Sequence, residues 1–148
     1  MKFGPLPLDR AEGAILAHSQ RVAGATFRKG RVLTADDIAA LRADGFETVV
    51  AVQLSENDLP ENEAAARLAA ALAGDNVILS NAATGRCNLT AAERGIALFD
   101  PARIDRVNLI DEAVTVSTVP PFEQVEQGDI VATVKIITFA VDAATVTR

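Results

Sequence analysis

Side chains able to do chemistry are few in this chain and gather in three places. Thr84-Gly85-Arg86-Cys87-Asn88 sets a hydroxyl, a guanidinium, a thiol and an amide within five residues, donors suited to a phosphate or a pterin-like heterocycle. The same residues also make an ordinary turn without any ligand. Asp111-Glu112 is an adjacent acidic pair of the kind that holds magnesium, yet neighbours on a strand point to opposite faces, and a helix-to-strand boundary explains the pair equally. Lys135 interrupts an apolar run. There an ammonium either meets an anionic ligand or lays its stem on the sheet with its head in water. The candidate ligand contacts are therefore Thr84, Gly85, Arg86, Asn88, Asp111, Glu112 and Lys135, with no catalytic residue and no metal ligand among them.

Several familiar chemistries have no residues to support them. Cys87 and His18 are the only cysteine and the only histidine, so neither a disulfide nor a zinc site of several Cys and His ligands can form within one chain. Cys87 beside Arg86 could carry a lowered thiol pKa, but a buried inert thiol is the commoner case. A serine nucleophile would need a partner base and a Gly-x-Ser-x-Gly elbow, which is missing. No closely spaced glycines precede a Gly-Lys-Ser or Gly-Lys-Thr, so phosphate-loop and dinucleotide fingerprints are absent.

The elements that must position these residues follow from local pattern. Asp9 to Gly13 makes a single turn, then Ala14–Ala17 and Arg21–Arg28 read as extended. Lys29-Gly30 turns the chain, and Thr34 caps a helix from Ala35 whose first turn holds Asp36 and Asp37, where the helix dipole favours negative charge. Ile38 and Leu41 share a face, and Gly45 suits the left-handed stop. Val49–Leu54 is apolar at successive positions, the mark of a central strand covered on both faces. Pro60 opens an alanine-rich helix ending at Gly74, with Leu68 and Leu72 four apart. Asn76–Ser80 reads as a strand, Asn81–Asn88 as irregular, and Ile96–Phe99 as extended. Asp100-Pro101 starts a helix reaching about Leu109. Glu112–Val119 alternates as a strand, and Ile130–Val141 reads as a long strand with Ile130, Ala132, Val134 and Ile136 on one face. The expected fold is α+β: a mixed, curved sheet with a β-clip-like element and about three helices. One domain is expected over 1–141, in one or two lobes, with 142–148 as the start of a linker.

Composition narrows the partners. Apolar residues at 49% and charged residues at 23% suit a folded chain. No apolar run approaches the roughly 20 residues of a membrane span, and the first residues carry no secretory core, so the expectation is a cytoplasmic protein. The net charge of −6 opposes nucleic acid, and six phenylalanines without Trp or Tyr offer few stacking platforms. Lys2, Arg10, Arg21, Arg28, Lys29 and Arg31 against Asp9 and Glu12 leave the first 33 residues at +4, hence the rest at −10. That excess marks either a face for a small anion or a charged strand edge protected against aggregation.

Two segments, Leu6–His18 and Arg28–Gly45 with the strand that follows, resemble the accessory, non-catalytic parts of the molybdopterin-binding family of molybdenum cofactor biosynthesis. More closely, the chain is similar to the leading portion of bacterial proteins in which a molybdopterin-binding region precedes a nucleotidyltransferase. There Asp111–Thr115 and Val134–Val141 look like the end of the leading region. The Ser-Thr-Gly-Asp-Glu motif of the family's pterin-binding core is echoed only by Ser55–Leu59, without the glycine, and no catalytic residue transfers. The resemblance implies an accessory domain that positions molybdopterin or its nucleotide form, with a nucleotidyltransferase-like domain adjacent. The Lys29-to-Ile38 pattern also looks like small β-clip domains that bind sugar acids. The alternative is then a free-standing small-acid-binding protein or lyase using Lys135, Asp111 and Glu112. A homo-oligomeric scaffold is the third class.

Overall fold

Thr34 and Asp37 decide where the first helix begins, and they do so reciprocally. In the computed structural model, which describes residues 1–147, the Asp37 N–H donates to Thr34 Oγ1 at 3.3 Å while the Thr34 N–H donates to Asp37 Oδ2 at 3.2 Å. Two otherwise orphaned backbone donors are satisfied by this capping box. At the other end the Phe46 N–H returns to Leu41 O and the Gly45 N–H to Arg42 O, a Schellman closure that needs Gly45 at φ +88°. The helix between them, α1, is Ala35–Ala43.

The chain divides into two compact units, Met1–Asp58 and Leu59–Arg148. The first contains β1 (Lys2–Pro7), a 3-10 turn at Leu8–Arg10, β2 (Ile15–Leu16), β3 (Gln20–Val22), β4 (Ala25–Phe27), α1 and β5 (Thr48–Gln53). β5 is central, with β1 and β2 antiparallel on either side, and Val49, Ala51 and Val52 on it are buried. The central position expected from its continuous apolar run is thus found. β1 gave no strand signal because Gly4, Pro5 and Pro7 break the pattern; proline is tolerated there because an edge strand has one free side. The single extended piece expected over Arg21–Arg28 is a hairpin instead, two short strands and the turn between them. β3 and β4 meet through Ala23 and Gly24, both at positive φ, as the twist of a two-residue hairpin turn requires. Leu8, Leu16, Leu33, Ile38, Leu41 and Val49 anchor this unit's core.

The second unit contains β6 (Asp58–Pro60) at its start, α2 (Glu61–Leu72), β7 (Val77–Leu79), β8 (Arg86–Ala91), β9 (Gly95–Ile96), α3 (Pro101–Asn108), β10 (Val114–Thr118), β11 (Gln124–Val125), β12 (Ile130–Ile136), β13 (Ala140–Asp142) and the one-turn α4 (Ala143–Val146). Its main sheet runs β10-β12-β8-β7, antiparallel throughout, and β9 pairs with β11. Ala64, Ala65, Leu68 and Ala69 of α2 pack with Cys87, Leu89, Val116, Val134 and Ile136 of the sheet. Alanine's small side chain lets that helix lie close. The α+β class holds, with the strands distributed over several small sheets and with four helices among the described residues.

Two expectations are corrected here. The long strand Ile130–Val141 stops at Ile136 and resumes as β13. A bulge between Ile130 and Ala132 also reverses its facing, because one extra residue moves every following side chain across the sheet. Ile130 is therefore half exposed while Val134 and Ile136 are buried. Ile96 alone of Ile96–Phe99 is in a strand. Within 142–148, Asp142 caps α4 by accepting the Ala144 N–H, and Ala143 and Val146 pack on the core. Arg148, the last residue of that segment, lies outside the described residues.

Candidate functional site

The alternation of β8, β10 and β12 sends their apolar residues toward α2 and α3 and their polar residues to the opposite face. Register then lines those polar residues into rows. Thr115, Lys135 and Arg86 are successive cross-strand partners, and so are Ser117, Thr133 and Asn88. Strands lie about 4.8 Å apart, so each row is a short ladder of polar heads. Thr133 Oγ1 donates to Asn88 Oδ1 at 3.0 Å. Lys135 and Arg86 stand directly opposite each other, both exposed, and neither has an ion-pair partner among the described residues. Like charges in that relation repel. An anion between them would relieve the repulsion and take charge-assisted hydrogen bonds from both, with Thr115 supplying a hydroxyl.

Three of the residues singled out in the sequence, Arg86, Asn88 and Lys135, are thus brought together. Arg86 and Asn88 belong to a strand rather than to an irregular loop. The turn before them is only two residues long: Thr84 and Gly85, at φ +49° and +70°, link Ala83 to Arg86, whose backbone groups bond in both directions at 3.0 Å. Gly85 is fully committed to structure. Its N–H donates to Asn62 Oδ1 at 2.8 Å, its carbonyl accepts the Ile136 N–H at 2.7 Å, and a Cβ would sit 2.7 Å from the Ile136 carbonyl. Thr84 is exposed and donates to the Ala83 carbonyl. Cys87 faces the core with its thiol 3.2 Å from the Ser80 carbonyl.

The remaining candidates lie off the rows. Asp111 Oδ1 accepts the Ala113 N–H at 2.8 Å, closing the corner between α3 and β10, and Glu112 is exposed on that corner. Among the described residues no group of three or more His, Cys, Asp or Glu is placed to hold a metal ion. No helix of those residues is long and apolar enough to cross a membrane.

Two features escaped the sequence. Asp37 is the one buried charge among the described residues, gripped by Arg31 through Nε to Oδ2 and Nη2 to Oδ1, both 2.8 Å, with Phe27 4.8 Å beneath the guanidinium. That bidentate bond holds the Asp37 carboxyl below its ordinary pKa, helped by the Thr34 N–H and opposed by burial. Part of the basic excess of the first segment is therefore structural, and Arg42 likewise pairs with Asp9. The second feature is an apolar cavity of about 540 Å³ in the second unit, built by residues between Leu72 and Ala132 that no local pattern connects. The only local sign was the consecutive apolar residues Ile96, Ala97, Leu98 and Phe99.

A family described as a domain of unknown function (DUF8806) matches residues 5–53, about a third of the chain. The matched stretch lies inside the first unit and takes in Leu6–His18 and Arg28–Gly45, while the polar rows and the cavity lie beyond it. No curated protein and no solved structure matches the chain.

Proposed function

We propose that this chain is an accessory, ligand-positioning domain of a molybdopterin-related protein, which seats an anionic portion of the ligand on the Arg86–Lys135 rows and leaves bond-making to another domain. The observation that carries the reading is the unpaired cation pair, opposed across β8 and β12 and flanked by Thr115, Thr133 and Asn88. Two exposed like charges kept side by side suit an anion that arrives from solution. The ligand class comes from the resemblance of Leu6–His18 and Arg28–Gly45. A lyase built on Asp111 has less support, because that carboxylate already holds the α3-to-β10 corner.

Isothermal titration of the protein with molybdopterin and with its nucleotide adduct tests this reading. The expected result is saturable heat that falls at least about tenfold in affinity in the Arg86→Gln/Lys135→Gln double variant, the loss of two charge-assisted contacts. Absence of heat with both ligands would end the pterin assignment. Undiminished binding by the double variant would move the ligand off these rows.

A further inference from the structure

We propose that the second unit carries a separate binding site, the cavity beside α3, for a small amine with an apolar body. This inference does not depend on the anion site, which occupies the opposite face of the sheet. Leu89, Val116, Val131 and Ala132 of the sheet form the apolar floor, with Ile104 of α3 and Val125 beside them. A volume of about 540 Å³ falls within the range of roughly 300–1,000 Å³ usual for small-molecule sites, and apolar lining with a few polar groups at the entrance is their usual make-up. Ile96 and Leu98, also on the lining, remain 60% and 74% exposed. A hydrocarbon ligand would withdraw them from water, which is the favourable direction for apolar surface.

Charge selects the head group. Asp75 and Glu93 on the lining are exposed carboxylates, and neither has a salt-bridge partner among the described residues. The single cation on the lining among the described residues, Arg94, is already paired with Glu126 at 3.3 Å. The cavity therefore presents net negative charge, which disfavours a carboxylate or phosphate head and favours an ammonium. Asn76 adds an amide that can serve either as donor or acceptor.

The test uses the neutral fluorophore N-phenyl-1-naphthylamine as a reporter of the cavity, displaced by dodecylamine or by dodecanoate below their micelle-forming concentrations. Fluorescence should rise and shift to the blue on binding. Dodecylamine should displace the probe at a concentration about tenfold below that of dodecanoate, the effect of two partly solvated ion pairs. The Asp75→Asn/Glu93→Gln variant, altered only at exposed positions, should keep the probe and bring the two competitors within about twofold of each other. Val131→Phe should reduce probe binding by filling the floor. Absence of probe binding overturns the site, and equal or better displacement by dodecanoate overturns the amine. Unchanged binding by a folded Val131→Phe variant, or fluorescence that tracks dimer mass in light scattering, places the probe elsewhere and also overturns the proposal. Loss of the Arg86–Lys135 site leaves each of these readings intact.

Discussion

Gly85 joins a left-handed turn to a close backbone approach, and both demands fall on one residue. An added methyl would meet a carbonyl rather than a flexible side chain, so nothing nearby yields cheaply. Gly85→Ala is expected to cost about 2–4 kcal/mol in urea unfolding, combining the positive-φ penalty with displacement of β12. Gly24→Ala, also at positive φ but with open space around it, should cost about 1 kcal/mol. Equal costs would remove the close approach as a cause. Asp37 sets a pH dependence of known sign. Its pKa is lower folded than unfolded, so its contribution is complete above the ordinary carboxylate value of roughly 4 and is lost as pH falls through the depressed folded value. Asp58 acts in the same direction, held down to about 2 chiefly by the Met1 ammonium and by Ser55. Asp37→Asn should therefore flatten the acid limb of a stability–pH profile without abolishing it. A limb unchanged in slope would deny the Arg31 pair its role.

Among the elements, α3 and β10 are joined by a clamp that periodicity does not reveal. Asn108 at the end of α3 donates its side-chain amide to the Val116 carbonyl at 2.9 Å and accepts the Val116 N–H at 2.7 Å. β10 is an edge strand, and Asn108 occupies backbone groups that a further strand would otherwise seek. Asn108→Ala should cost about 1–3 kcal/mol and speed hydrogen exchange at Val116. Retained protection there would show that the clamp is dispensable. Local signals served α1 well because cap, stripe and stop all lie within one short segment. They failed for β12, where Ile130–Ile136 alternates regularly in sequence but the bulge is set by pairing with β8.

At the scale of the whole molecule, each unit has its own apolar core. Leu41 is completely buried in the first and Val134 in the second. Leu41→Ala should lower stability by about 2–5 kcal/mol, with the loss of exchange protection concentrated in residues 1–58. Val134→Ala should instead expose amides of β8 and β12. Equal loss across all amides in both variants would mean that the chain opens as a single cooperative body.

Caps, stops and the central strand could be read directly from the chain, since each is settled by groups a few residues apart. Arg86, Asn88 and Lys135 were legible as polar residues of interest, but nothing local said that 86 and 135 would stand opposite each other. That juxtaposition follows from antiparallel register across a separation of 49 positions. The apolar cavity has the same long-range origin, while the Arg31–Asp37 bond and the Asn108 clamp join residues six and eight positions apart across a turn that local pattern does not fix. Each depends on where packed elements set side chains in space, and packing acts on neighbours brought together by the fold rather than on neighbours along the backbone.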